Sequence, residues 1–232
     1  MSEIRIDKYL SVALNISRTD AKQLLKKSNI TVAGERVIKS DFKLDEGVEV
    51  KKDGITLVYK KYIYIMMNKP AGLLSASSDK RVKTVVDILP EHLKREGLFP
   101  VGRLDKDTTG LLIITDDGDF GHRVMSPKSH TEKCYLAELD GRLKEEHIEI
   151  FSQGVTLASG EECLSAKLEI LGESLAEVTV CEGKYHQIKR MFGTIGLGVN
   201  KLHRTRIGGL ILPENMPIGE ARELTADEKS LI

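Results

Sequence analysis

The segment from Gly102 to Gly118, Gly-Arg-Leu-Asp-Lys-Asp-Thr-Thr-Gly-Leu-Leu-Ile-Ile-Thr-Asp-Asp-Gly, restricts the folds open to this chain more than any other. Its apolar run, Leu111 to Thr115, reads as a strand, and the turns on either side hold four carboxylates between them, each needing a partner. Three accounts compete. Asp105, Asp107, Thr109, Gly110 and Asp116 match positions 1, 3, 5, 6 and 12 of an EF-hand-like calcium loop, the sixth being its turn glycine, but the last position usually carries a bidentate Glu, and such a loop needs a helix on each side rather than a strand. Alternatively, one carboxylate is a nucleophile, held at a turn beside a cation and shielded by apolar neighbours. In the plainest account the aspartates only accept backbone N–H groups of the turns.

Around this segment the chain reads as two domains, residues 1–58 and 62–232, of α+β class. The first starts with a short amphipathic helix, Asp7 to Leu14. Ser17 with Asp20 resembles a capping box, and Ala21, Leu24 and Leu25 form the apolar stripe of a second helix ending near Ser28. Short strands follow at Ile30–Gly34 and Gly47–Lys51. Lys51-Lys-Asp-Gly54 and Tyr59-Lys-Lys61 are polar and turn-prone, and the boundary is placed there. In the larger domain, strands are expected at Tyr62–Asn68, Gly110–Thr115, Lys133–Leu139, Ala166–Leu171, Ala176–Cys181 and Ile207–Leu212. Helices are expected at Val82–Leu89, Asp119–Met125, Lys144–Gln153 and Tyr185–Ile195. Strands that outnumber helices without βαβ alternation imply a mostly antiparallel mixed sheet with a few helices.

Charge is informative only where it clusters, because 35 Lys and Arg balance 35 Asp and Glu. Residues 1–43 hold nine basic side chains against five acidic ones, and Arg18, Lys22, Lys26 and Lys27 recur along one face of the second helix. From Gly183 to Pro213 there is no acidic residue, while Lys184, Lys189, Arg190, Lys201, Arg204 and Arg206 supply six cations. Such a cluster suits a polyanion such as RNA, through phosphate contacts and counterion release; ion pairs with the aspartates of the central segment are the other reading. Cys134, Cys163 and Cys181 are isolated and odd in number, which fits buried apolar roles in a reducing compartment. No run approaches the roughly 18 apolar residues of a membrane span, and the N-terminus lacks a signal-peptide core, so a soluble, cytoplasmic protein is expected. The glycines from Gly193 to Gly198 follow a helix rather than a strand and read as helix termination, not as a dinucleotide loop. The six histidines form no HxxxH pair and no defensible Ser-His-Asp order, which disfavours metal and triad hydrolases.

Gly102-Arg-Leu-Asp-Lys-Asp-Thr-Thr-Gly-Leu-Leu112, with Asn68-Lys-Pro-Ala-Gly72, Lys133-Cys-Tyr135 and Glu182-Gly-Lys-Tyr-His-Gln-Ile-Lys-Arg-Met-Phe192, resembles the pseudouridine synthases of the RsuA group, which modify ribosomal RNA. Arg5-Ile-Asp-Lys-Tyr-Leu10, Ser17-Arg-Thr-Asp-Ala-Lys-Gln-Leu-Leu25 and Ile30-Thr-Val-Ala-Gly34 resemble the small RNA-binding module of ribosomal protein S-four. Together the resemblances span nearly the whole chain. They imply that Asp105 is the nucleophile and forms a covalent adduct while the base detaches, turns and reattaches through carbon 5. Tyr135 would pack on the target base and assist proton removal from carbon 5, Lys189 would pair with and aim Asp105, and Arg103 would fill the gap left by the extracted nucleotide. Further RNA contacts are expected from Arg5, Arg18, Lys22, Lys26, Lys184, Arg190, Arg204 and Arg206. No metal or other cofactor is implied, because substrate and product are isomers. The implied partner is ribosomal RNA, within a small-subunit assembly particle, with no obligatory protein partner, no membrane, and the enzyme a monomer. Glu182–Phe192 and Leu202–Gly209 look most like the small-subunit branch; a large-subunit synthase and a non-catalytic RNA-binding protein on a synthase scaffold are the alternatives.

Overall fold

A computed structural model describes residues 3–232, the side chain of Pro127 excepted. The chain divides into two compact units after Ile63. In the first, β1 (Glu3–Arg5) leads into α1 (Ile6–Leu14) and α2 (Arg18–Lys27), followed by β2 (Ile30–Val32), β3 (Glu35–Arg36), β4 (Lys43–Asp45), β5 (Val50–Lys52) and β6 (Ile55–Thr56). Strands β3-β2-β5-β6 make one antiparallel sheet and β1 pairs with β4. Ser17 caps α2 as expected, its hydroxyl accepting from the Asp20 N–H at 3.1 Å. Leu10, Ala21, Leu25, Ile30 and Val50 close the core with zero exposure. The turn-prone Lys51–Gly54 is not a linker: Asp53 and Gly54, both at positive φ, form the two-residue turn of the β5–β6 hairpin.

The second unit contains β7 (Tyr64–Lys69), β8 (Phe99–Val101), β9 (Thr109–Thr115), α3 (Gly118–Met125), β10 (Lys133–Leu139), α4 (Glu145–Ser152), β11 (Lys167–Gly172), β12 (Leu175–Val180), α5 (Gln187–Thr194), β13 (Val199–Ile207), β14 (Leu210–Ile211), β15 (Ala221–Glu223) and α6 (Ala226–Ser230). One nine-stranded sheet runs β11-β12-β10-β13-β9-β7-β15, with β14 on β13 and β8 on β9. Within this sheet, among the described residues, only the β9–β13 pairing is parallel, so the fold is the expected α+β arrangement on a mostly antiparallel mixed sheet. Leu111 to Ile114 have zero exposure, because β9 is covered on both faces.

Two expected elements differ. Val82–Leu89 is not helical: the Leu74 N–H donates to the Lys83 carbonyl and the Val85 N–H to that of Leu74, committing this backbone to a bridge, while the Asp87 carboxylate accepts from the Thr84 N–H and hydroxyl. The strand expected at Ile207–Leu212 breaks into a hairpin at Gly208–Gly209, and the long strand β13 precedes it. Its inward positions, Leu202, Arg204 and Ile207, include an arginine and straddle a bulge opposite Cys134 and Tyr135, which hides the period-two pattern.

Gly110 sits where β9 and β13 run closest. Its φ is +102°, and an added Cβ would lie 2.3 Å from the Arg204 carbonyl oxygen. Gly110→Ala is therefore expected to lower the stability of the larger unit by about 2–4 kcal/mol. Urea unfolding of the variant would check this, and a change below about 0.5 kcal/mol would show that the strands yield freely.

Candidate active site

Asp105 lies in the loop joining β8 to β9, where a turn is closed by the Thr108 N–H donating to the Asp105 carbonyl at 3.1 Å. Lys69, the last residue of β7, organises this loop from beneath. Its ammonium has zero exposure and donates to the carbonyl oxygens of Pro70 (3.0 Å), Asp105 (3.2 Å), Lys106 (3.4 Å) and Thr108 (2.9 Å). Burial pulls its pKa from 10.5 down to about 8, against the opposing pull of Asp107 and Asp105.

The Asp105 carboxylate keeps a quarter of its surface open. One oxygen faces His186 Nε2 at 3.5 Å and the other Lys189 Nζ at 3.6 Å. Lys189 binds Asp107 more tightly, at 2.6 and 2.7 Å, and this contact holds the Asp107 carboxyl below its usual range. The expected Lys189–Asp105 pair is thus one arm of a shared contact. His186 caps α5 in the left-handed region, φ 49°, a conformation that costs a non-glycine residue about 1–3 kcal/mol and is held where the ring meets Asp105. The Tyr185 ring, 71% exposed, stacks on His186 with centroids 3.8 Å apart.

Across from Asp105, Tyr135 on β10 is largely buried, and its phenol oxygen accepts from Arg204 Nη1 at 3.3 Å. Asp105, Tyr135, Arg103, Lys184 and His186 line a cavity of about 400 Å³, and Arg103 stands exposed at its edge. The structure therefore brings together Asp105, Tyr135, Lys189 and Arg103, which the sequence motifs single out.

Several expected RNA contacts are differently employed. Arg204 is no surface cation: it is 3% exposed, donates to the Leu111 carbonyl at 2.7 Å, and leaves Nη2 buried without a partner. Arg190 donates to Glu161, Ser159 and the Tyr185 carbonyl; Arg206 donates to Glu132 and the Gly208 carbonyl. Lys184 pairs with Glu182 and contacts the Glu162 carbonyl. These partners are glutamates, carbonyls and one serine hydroxyl rather than the aspartates of the central segment. In the N-terminal unit Lys22 and Lys26 are exposed, while Arg5 and Arg18 both clasp the fully buried Asp7 at about 3 Å and remain half exposed. Burial opposes ionisation of Asp7, but the two guanidinium groups outweigh it and the pKa falls. Among the described residues no group of three potential ligands could hold a metal ion; Asp107 is tied to Lys189 and Asp116 to Arg95, unlike a calcium loop. Among the described residues no helix is long and apolar enough to cross a membrane. The sequence motifs give no catalytic role to Lys69 or His186, although both stand inside the segments that carry the family resemblance.

Comparison with known proteins matches residues 63–194 to the RNA pseudouridylate synthase family and residues 4–50 to the S4 domain. The chain is 41% identical to ribosomal small subunit pseudouridine synthase A of Vibrio parahaemolyticus, over 97% of each chain. It is 39% identical to the protein of the same name from Escherichia coli, over 97% of this chain and 98% of that one. An uncharacterized RNA pseudouridine synthase of Aquifex aeolicus is 40% identical over 97% of this chain and 94% of its own. A crystal structure of a pseudouridylate synthase matches with a TM-score of 0.70 and 35% identity, covering 99% of this chain and all of that one.

The Lys69 environment makes a test with a defined sign. Between about pH 8 and 10.5 the native chain binds fewer protons at this site than the unfolded chain, so this group makes stability rise with pH across that window. Lys69→Met, which removes the ammonium from four carbonyl oxygens, of which, among the described residues, only those of Asp105 and Lys106 also accept from a backbone N–H, is expected to be less stable than wild type by about 2–4 kcal/mol at pH 7. The gap should widen towards pH 10.5 in urea titrations; a gap that narrows would contradict the burial of a charged ammonium.

Proposed function

The chain belongs to the RNA pseudouridylate synthase family of isomerases, and from this premise we propose that it converts one specific uridine of small-subunit ribosomal RNA to pseudouridine with Asp105 as the nucleophile. The observation that carries the assignment of Asp105 is its placement: the carboxylate is a quarter open on a cavity wall, set on a loop anchored by Lys69, with Tyr135 on the same cavity. Asp107 is more exposed, but Lys189 engages both of its oxygens.

In the reaction the N1–C1′ bond of the uridine breaks, a C5–C1′ bond forms, the proton leaves C5, and N1 ends protonated. Atoms and electrons balance within the substrate, so no external redox or group-transfer partner enters. Asp105 holds the nucleotide covalently while the free base turns, which keeps the reaction unimolecular. Tyr135 packs on the base and assists removal of the C5 proton; the guanidinium of Arg204 donates to its oxygen, leaving that oxygen's remaining lone pair as an acceptor. Lys189 and His186 aim the Asp105 carboxylate from its two sides. Arg103, exposed at the cavity edge, fills the stack from which the uridine is drawn.

We further propose that residues 1–58 form the RNA-binding domain, with Arg5, Arg18, Lys22 and Lys26 on phosphates, and that residues 62–232 form the catalytic domain. The buried Asp7 supports this, since it fixes two half-exposed guanidinium groups side by side. The proposed substrate is the RNA within an assembling small subunit in the cytoplasm, and the enzyme acts as a monomer. Small-subunit specificity is supported by the names of the relatives in Vibrio and Escherichia coli.

Incubation with unmodified small- and large-subunit RNA or their assembly particles, followed by chemical mapping of pseudouridine, should reveal one new site in the small-subunit RNA. Asp105→Asn should lower its formation by about a thousandfold or more while RNA affinity stays within a few fold; an active Asn variant would remove Asp105 from its role. Tight binding with no new site in any RNA would favour a non-catalytic scaffold. Removal of residues 1–58 should leave the larger unit folded on its own core, with modification weakened or misdirected. Unchanged efficiency at the same uridine would refute the targeting role.

A further inference from the structure

The cavity contains a cation with no assigned task. Lys133 opens β10 two residues before Tyr135, so strand alternation puts both side chains on one face of the sheet, and both line the cavity. Arg204 is the cross-strand partner of Tyr135 and lines it too. Lys133 is half-buried, and its ammonium has no hydrogen bond or ion pair within the described residues. Arg204 is buried without any carboxylate partner, and its Nη2 is unsatisfied. Both carboxylates that line the cavity are engaged elsewhere. Asp105 faces His186 and Lys189, while Glu182 takes Lys184, the Gln187 amide and the Leu164 N–H.

Two positive charges held in one partly dehydrated cavity without a counterion oppose folding. Burial and the charge of Arg204 both pull the Lys133 pKa down, which expresses the same conflict. A fold that retains such a pair gains from it when a ligand brings the missing negative charge. We propose that Lys133 binds a phosphate of the substrate RNA inside the catalytic cavity, at the nucleotide to be isomerised. This rests on the cavity being the site that receives the target uridine. An ammonium is a compact point charge suited to phosphate, and a full negative charge relieves the repulsion between two cations far better than a uracil carbonyl dipole. Arg204, 3% exposed, adds its field rather than a contact. Lys133 is thus a substrate-binding residue that acts on the backbone while Tyr135, on the same face, acts on the base.

Titration of the full chain with uridine and with uridine 3′,5′-bisphosphate tests the assignment. Wild type should prefer the bisphosphate, and Lys133→Met should lose about tenfold of affinity for it while affinity for uridine is unchanged. The melting temperature of that variant should equal or exceed wild type, because an apolar chain of similar length removes the repulsion. Lys133→Arg, which keeps the charge, should restore most of the preference. A wild type that binds the bisphosphate no better than uridine would overturn the proposal. So would a Lys133→Met variant that loses both ligands equally, keeps the preference, or melts well below wild type. Asp105→Asn should retain the bisphosphate preference. If that variant still made pseudouridine, the nucleophile assignment would fail without touching Lys133.

Discussion

The site depends on one buried ammonium. Lys69 has zero exposure, an arrangement that is unfavourable for a charged group unless its surroundings replace water. Here four carbonyl oxygens, three from the Asp105 loop and one from Pro70, do so in part, and the lowered pKa of Lys69 marks what they leave uncompensated. The dependence is mutual. The loop turns its carbonyls inward; those of Asp105 and Lys106 also accept from the Thr108 and Gly72 N–H groups, and the lysine adds a donor to all of them from a single point. Loop and strand end become one rigid object, and the Asp105 backbone is fixed while its carboxylate stays partly open. In the proposed reaction, the orientation that Asp105 needs is thereby set by groups that never meet the substrate.

The second constraint is the close parallel contact of β9 with β13. The antiparallel pairing of β13 with β10 sets Arg204 across from Tyr135, and beside the bulge at that point the guanidinium reaches both the Leu111 carbonyl on β9 and the phenol. A glycine at position 110 makes the approach possible. The segment that stands out in the sequence thus has two jobs: its polar half presents Asp105, and its apolar half builds the strand against which the opposite wall is registered.

What could be read in the sequence follows from how local each signal is. Ser17 with Asp20, the Leu111–Ile114 run and the strand Lys133–Leu139 are decided by neighbours in the chain, and all three appear as expected. Val82–Leu89 has helix-like spacing but pairs with Leu74, a partner outside any local window. β13 was hidden because Arg204 occupies a position where alternation calls for an apolar residue. The same limit applies to the site. Asp105 and Tyr135 stand in recognisable motifs, whereas nothing local distinguishes a lysine that will be wholly buried, such as Lys69, from one that will be solvated.

The cation-rich stretch after Gly183 shows how a protein of zero net charge can address a polyanion. Lys184, Arg190, Lys201 and Arg206 are each matched to a glutamate, and Lys189 to Asp107. These pairs lie near the surface, where each contributes little to stability, but they lower the long-range positive field and with it the attraction for any nucleic acid. Arg103 and Lys133 at the cavity have no such match within the described residues. Positive charge is therefore left uncompensated at the cavity proposed to receive the target nucleotide. On the proposed function, this arrangement lowers indiscriminate affinity and concentrates binding energy on a nucleotide that has already left its stack.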